Sequence, residues 1–279
     1  MTSDTFASLP LRHASTPGLA IPQLGFGVWE VSDGDVDASF GRALEIGYRH
    51  IDTARIYGNE AGVGRVLAST DVPRDDIFVT TKLWNDDHRD VRAAFEASMA
   101  RLAIETLDLY LIHWPAPKQD AYVDAWKAML ELQREGRVRS VGVCNFQVPH
   151  LQRLLDETGV LPSINQVELS PYLQQRELRA FHDEQGIVTE AWSPLAVRAG
   201  LLDDRAVLDL AAEHGVTPAQ VVLRWHIELG NVVLTRSVTP ARIEENHRIA
   251  GFSLGDDAME ALSALDRGTR TGPDPDTFG

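Results

Sequence analysis

Short apolar runs alternate with longer amphipathic stretches along the whole chain. That rhythm constrains the fold more than any other feature. Strand-like runs fall near 24–28, 48–52, 77–82, 107–112, 138–143, 163–167, 187–191 and 232–235. Helical patterns fall between them, near 33–46, 59–69, 88–102, 119–135, 148–157, 174–185, 203–213 and 239–249. An additional helix opens at Thr217-Pro218 and runs to about Leu229, and a last one follows Leu254-Gly255-Asp256. Strand–helix alternation of this kind builds parallel sheets, and eight such units in 279 residues fit a closed (β/α)8 TIM barrel of class α/β. Ser32 and Asp33 open the first helix, while Gly47, Gly136, Gly159, Gly186 and Gly215 sit where helices should stop. No linker or low-complexity segment interrupts the pattern, so 1–279 reads as one domain.

Ionisable residues stand at or just after the ends of three successive runs. Asp52 ends one and leads into Tyr57; Lys82 ends the next; His113 ends the third. In a parallel barrel such positions meet at one mouth. A strand-end Asp is usually a cap, and a lone Tyr, Lys or His is usually packed or solvated. Together they suit one chemistry. An ammonium favours the phenolate and lowers the phenol pKa, a carboxylate keeps the ammonium charged, and an imidazole orients a substrate oxygen. The set describes a phenolic acid that protonates a carbonyl oxygen as charge develops on it, and carbonyl reduction suits it better than hydrolysis.

Other classes are disfavoured. The formal net charge of −15 argues against nucleic acid or an anionic membrane as partner. The single cysteine, Cys144, excludes an intrachain disulfide and reads as a semi-buried strand-end residue. Nine histidines include no HExxH and no close pair at helical spacing, so no metal site is expected. The N-terminus lacks a basic region followed by an apolar one, and no stretch is long and apolar enough to span a bilayer. A soluble, cytoplasmic enzyme is expected, acting as a monomer on a small carbonyl compound. No Rossmann fingerprint is present: Gly25-Phe26-Gly27 meets Glu30, and Gly62-Val63-Gly64 meets Leu67, where a third glycine would stand.

At these residues the chain resembles the aldo-keto reductase family. The matching segments are Leu24–Trp29, Gly47–Ala54, Tyr57–Glu60, Thr81–Trp84, Leu111–Pro115, Val141–Phe146, Asn165–Glu168 and Arg236–Asn246, in family order across nearly the whole chain. The branch it is most similar to includes the bacterial 2,5-diketo-gluconate reductases. The resemblance implies a hairpin within Leu9–Ile21 at the barrel base and a C-terminal loop beside the substrate. It implies NADPH bound at the barrel mouth. Asn145 and Gln166 would bond the nicotinamide carboxamide, with Trp192 stacked on the ring. Ser193, Pro194 and Leu195 would run along the pyrophosphate. Arg236, Ser237 and Arg242, with Val238 and Thr239 between them, would hold the adenosine 2′-phosphate, and Glu245 and Asn246 the adenine. Gly27 and Trp29 would complete the cofactor wall with Asp52. Two guanidiniums and a hydroxyl near a helix start suit a dianionic phosphate on physical grounds as well. Arg236 stands where the family usually carries Lys, and Cys144 where it often carries Ser.

Trp29, Trp84 and Trp114 are expected to line the substrate pocket with Tyr57 and His113. Short loops after the 107–112 and 187–191 runs suggest an open pocket, and the irregular tail 268–279, with Phe278, is placed to cover one side. The activity implied is NADPH-dependent reduction of aldehydes and ketones, with Tyr57 as acid, Lys82 as its modulator, Asp52 as the lysine partner and His113 as the orienting group. Two alternatives stand beside it: alcohol oxidation by the same residues in reverse, and a cofactor-sensing binding protein on the same fold, as in the potassium-channel β subunits.

Overall fold

The structure is a computed structural model, and it describes residues 6–279; residues 1–5, part of the stretch read for a leader, lie outside it. Two short strands come first, β1 (Ser8–Pro10) and β2 (Ala20–Pro22), antiparallel with Leu9 opposite Ile21. Eight parallel strands follow: β3 (Leu24–Gly27), β4 (His50–Asp52), β5 (Phe78–Leu83), β6 (Leu107–Ile112), β7 (Val138–Cys144), β8 (Ile164–Glu168), β9 (Val188–Trp192) and β10 (Val232–Thr235). They pair in chain order and close through β10 on β3, forming a barrel. All eight expected strands are present.

The helices are α1 (Asp33–Ile46), α2 (Glu60–Ser69), α3 (Val91–Leu102), α4 (Tyr122–Arg134), α5 (Val148–Thr158), α6 (Arg176–Gln185), α7 (Arg205–His214), α8 (Pro218–Glu228), α9 (Pro240–His247) and α10 (Asp256–Ser263). Local chemistry sets several of their ends. The Ser32 side chain accepts from the Asp35 amide at 3.2 Å and caps α1. Thr217 and Gln220 cap each other's backbone amides at 3.3 and 3.0 Å, with Pro218 in the first turn of α8. Gly47 ends α1 at φ 124°, a backbone state that a side chain would strain. Two helices start three residues later than expected, α3 at Val91 and α4 at Tyr122, each after a 3-10 turn, at Asn85–Asp87 and Pro117–Gln119.

Alternation along the strands divides the core in two. On β6, Tyr110 and Ile112 belong to the layer between barrel and helices, while Leu109 and Leu111 face the interior. The interior cluster also holds Phe78, Cys144, Ile164 and Val232, and it is completed by Leu11, Leu19 and Ile21 from the hairpin. The hairpin therefore plugs the base with apolar side chains.

Candidate active site

Asp52, Lys82 and His113 lie at the ends of β4, β5 and β6, which are neighbours in the barrel. Tyr57 stands on a 3-10 turn, Arg55–Tyr57, that follows β4. The four side chains converge. Lys82 Nζ donates to Asp52 Oδ1 at 2.6 Å and to the Thr53 carbonyl at 2.9 Å. It also lies 5.2 Å from the centre of the Tyr57 ring. The Tyr57 and His113 rings meet edge to face, their centres 5.8 Å apart. Lys82 is fully buried, and Tyr57 is half-buried at the rim.

Burial governs the electrostatics. It disfavours a charged Lys82, but Asp52 outweighs it and the ammonium is held above its ordinary pKa. Burial, with the Lys82 charge adding to it, pushes His113 well below the usual histidine range, so the imidazole is neutral. Tyr57 corrects the sequence reading. The phenol was expected below its ordinary pKa; burial instead pushes it up, and Lys82 only counters part of that rise. A charge argument from sequence sees the ammonium but not the water removed from around the phenol.

The aromatic wall forms in part as expected. Trp84 packs on His113 at 5.2 Å, and Trp114 is buried. Phe278 in the tail sits 4.7 Å from the Trp114 ring and 6.5 Å from Trp84, so the tail does cross one side of the mouth. It is also anchored further back. Glu168, buried at the end of β8, accepts from the Thr271 amide and hydroxyl, each at 2.6 Å, and from the Gly272 amide at 3.0 Å. Gly272 lies so close to Trp192 that a Cβ there would come within 2.5 Å of the indole. Trp29 is exposed at 42% and lies between Arg198 and Arg236, whose guanidiniums are 5.6 and 5.5 Å from its ring.

The expected cofactor residues occupy one side of the mouth. Trp192 is half-buried, and its Nε1 donates to Asn145 Oδ1 at 2.8 Å, while Asn145 Nδ2 donates to the His113 carbonyl at 3.0 Å. Asn145 and Ser193 both hold left-handed backbone, at φ 63° and 50°, conformations that cluster at working sites. Leu195 is half-buried beside them. Gln166 Nε2 donates to Asp52 Oδ2 at 2.9 Å, tying this wall to the tetrad. Arg236, Val238, Thr239 and Arg242 are exposed along the rim, with Ser237 half-buried among them. Arg236 Nη1 bonds the Trp29 carbonyl at 3.1 Å and pairs with Glu30 at 3.4 Å. Glu245 accepts from the Thr217 hydroxyl at 2.9 Å, and Asn246 is buried behind it. Beside Gly27 a Cβ would meet only the Thr235 carbonyl, at 3.7 Å, which leaves open space over that backbone. An unobstructed backbone, a half-buried indole and exposed arginines fit a stacked, phosphate-bearing dinucleotide. Among the described residues no group of three or more His, Cys, Asp or Glu could hold a metal ion.

Comparison with known proteins decides the family. The family model described as "Aldo/keto reductase family" matches residues 23–267. The chain belongs to the aldo/keto reductases. Among its relatives is the methylglyoxal reductase DkgA of Salmonella typhimurium, 53% identical over 94% of this chain and 96% of that protein. An aldo-keto reductase of Mycolicibacterium smegmatis is 49% identical over 96% of this chain and 98% of its own length. Among solved structures, a mutant of Gox0644 in complex with NADPH superimposes with TM-score 0.92 at 44% identity, covering 98% of this chain and 99% of that one. An aldo/keto reductase from Brucella melitensis gives TM-score 0.89 at 47% identity, covering 94% and 100%.

Glu190, Glu168 and His50 were not assigned roles from sequence. Glu190 did leave a signal: a carboxylate inside the apolar run 187–191, where a buried strand has no use for one.

Proposed function

We propose that this aldo/keto reductase uses NADPH to reduce small aldehydes and ketones to alcohols, methylglyoxal among them. When bound, NADPH supplies hydride to the carbonyl carbon. Tyr57 donates the phenolic proton to the carbonyl oxygen. Lys82 offsets the burial that would otherwise make that proton hard to release, and Asp52 keeps Lys82 charged and fixed. Neutral His113 offers a ring N–H to the same oxygen and so orients it. Trp29, Trp84, Trp114 and Phe278 form an apolar wall that limits water. On the other side, Asn145 and Gln166 receive the nicotinamide carboxamide, Trp192 its ring, and Arg236, Ser237 and Arg242 the adenosine phosphate.

One observation carries this reading. A fully buried Lys82–Asp52 pair touches a tyrosine ring beside a neutral histidine at an open barrel mouth. We take the enzyme to act as a monomer. Among the described residues no helix is long and apolar enough to cross a membrane. We propose the cytoplasm as the enzyme's compartment. We read 1–279 as one domain, since the hairpin and the tail both pack on the barrel. The test is NADPH absorbance with methylglyoxal and a panel of aldehydes and ketones, repeated with NADH. The expected result is oxidation that requires a carbonyl and favours NADPH. Tight NADPH binding with no oxidation by any carbonyl would favour a cofactor sensor instead.

A further inference from the structure

Beneath the tetrad, Glu190 of β9 is fully buried and has no part in the mechanism above. Among the described residues no Lys or Arg pairs with it directly, although the Lys82 charge reaches it. The nearest ionisable partner is His50, whose Nε2 is 3.7 Å from Glu190 Oε1, and burial, with Lys82 adding, pushes the His50 pKa down to about 3. Glu190 Oε1 accepts no hydrogen bond. Its other oxygen, Oε2, accepts from Gln166 Nε2 at 2.9 Å. The same nitrogen donates to Asp52 Oδ2, also at 2.9 Å.

That double contact fixes an otherwise ambiguous group. An amide presents an oxygen and a nitrogen of nearly equal size, and only the bonding network tells them apart. An oxygen placed here would face the Asp52 carboxylate; the NH2 group gives one hydrogen to Asp52 Oδ2 and one to Glu190 Oε2, which accepts whether the carboxyl is ionised or holds its proton on Oε1. Gln166 Oε1 is then turned away from the carboxylates, and among the described residues nothing donates to it. Asp52 alone would hold the amide by one bond and leave it free to swing.

We infer that Glu190 is a positioning residue: with Asp52 it locks the Gln166 carboxamide so that only its carbonyl oxygen is available to the cofactor, which must therefore offer a hydrogen-bond donor there. The carboxamide NH2 of the nicotinamide is such a donor. Burial, with Asp52 adding, pushes the Glu190 carboxyl up to about 8, which limits the charge placed beside Asp52 near neutral pH.

This inference rests on the NADPH reading and is tested apart from it. Dissociation constants are measured by quenching of tryptophan fluorescence for NADPH and for its reduced 3-acetylpyridine analogue, in which a methyl replaces the carboxamide NH2. The wild-type enzyme should bind NADPH more tightly by about fivefold to tenfold, the worth of one hydrogen bond. Glu190→Gln, whose side-chain oxygen can still accept, should keep that ratio. Glu190→Leu should bring the two constants within about twofold of each other as the amide loosens. A merely structural role for Glu190 would weaken both ligands alike and leave the ratio unchanged. Thermal melts establish that each variant is folded, and Glu190→Thr takes the place of the leucine variant if that one is not. A wild-type ratio near one, or a folded Leu or Thr variant that discriminates as wild type does, overturns the inference. Wild-type turnover of a carbonyl with NADPH, measured alongside, shows separately whether the parent reading stands.

Discussion

At the base of the barrel, Leu11, Leu19 and Ile21 pack against Phe78, Leu109, Leu111, Ile164 and Val232. Toward the mouth, the barrel strands carry Asp52, Lys82, Gln166 and the indole of Trp192, with His113 and Asn145 one residue beyond their strands. Lys82 pairs in register with Leu111, so a charged group and an apolar plug residue lie side by side on neighbouring strands. The contrast separates two demands on one scaffold. Apolar burial at the base contributes stability and asks nothing of geometry beyond filling space. The mouth holds an ammonium, a carboxylate and uncharged imidazoles out of water, which is unfavourable unless each is satisfied. The apolar plug thus rises to the level of Lys82, and the chemistry sits directly on top of it at the mouth.

Four substitutions or conditions should break or sharpen that contrast. Lys82→Met has the largest expected effect. It should lower turnover by about 10²–10⁴-fold. It also leaves Asp52 buried beside no cation, so the melting temperature should fall as well. Near wild-type kcat in this variant would remove Lys82 from the mechanism.

Ile21→Ala is the complementary change at the base. Ile21 is fully buried in the plug, and its truncation should cost about 2–5 kcal/mol, or a melting temperature lower by on the order of 5–15 °C. Below that transition, kcat and the KM for NADPH should hardly move. A large loss of kcat in the folded variant would mean that base and mouth are coupled.

Arg242→Ala acts on the rim alone. It should weaken NADPH by about tenfold while changing NADH by less than about twofold, since only NADPH carries the extra phosphate. Fluorescence titration with both cofactors reads this directly, and equal losses would place the phosphate elsewhere.

Acid should produce the mildest effect. Burial holds His50, His182 and His226 down at about 3 and His88 at about 4, against about 6.5 in an unfolded chain. Because the folded pKa values are lowered, the unfolded state takes up protons first. The contribution is intact above about pH 6.5 and is lost as the pH falls. Glu190 has the opposite sign: its folded pKa is raised to about 8, so its contribution is present at low pH and lost as the pH rises through that value. The melting temperature should therefore be lower at pH 5 than at pH 7 by several degrees, and an equal value at both would contradict neutral buried histidines.

The strands and the tetrad were legible because each is a local signal. A run such as Leu107–Ile112 declares itself by length and branching, and barrel topology alone brings Asp52, Lys82 and His113 together. The starts of α3 and α4 were read three residues early, because the polar residues that precede Val91 and Tyr122 also suit a first helical turn. Long-range pairings left no local trace. Glu168 anchors Thr271 across 103 residues, and Gln166 reaches Asp52 across 114. The direction of the Tyr57 shift needed the extent of burial, which residue order does not give.

The central claim is that the mouth delivers a proton from Tyr57. Tyr57→Phe removes that proton and little else, so kcat for methylglyoxal and for a simple aldehyde is the direct measurement, with NADPH binding measured beside it. The account predicts a loss of about 10²–10⁴-fold in kcat with an NADPH dissociation constant within about twofold of wild type. A phenylalanine variant that keeps more than about a tenth of wild-type kcat would show that the proton comes from another group.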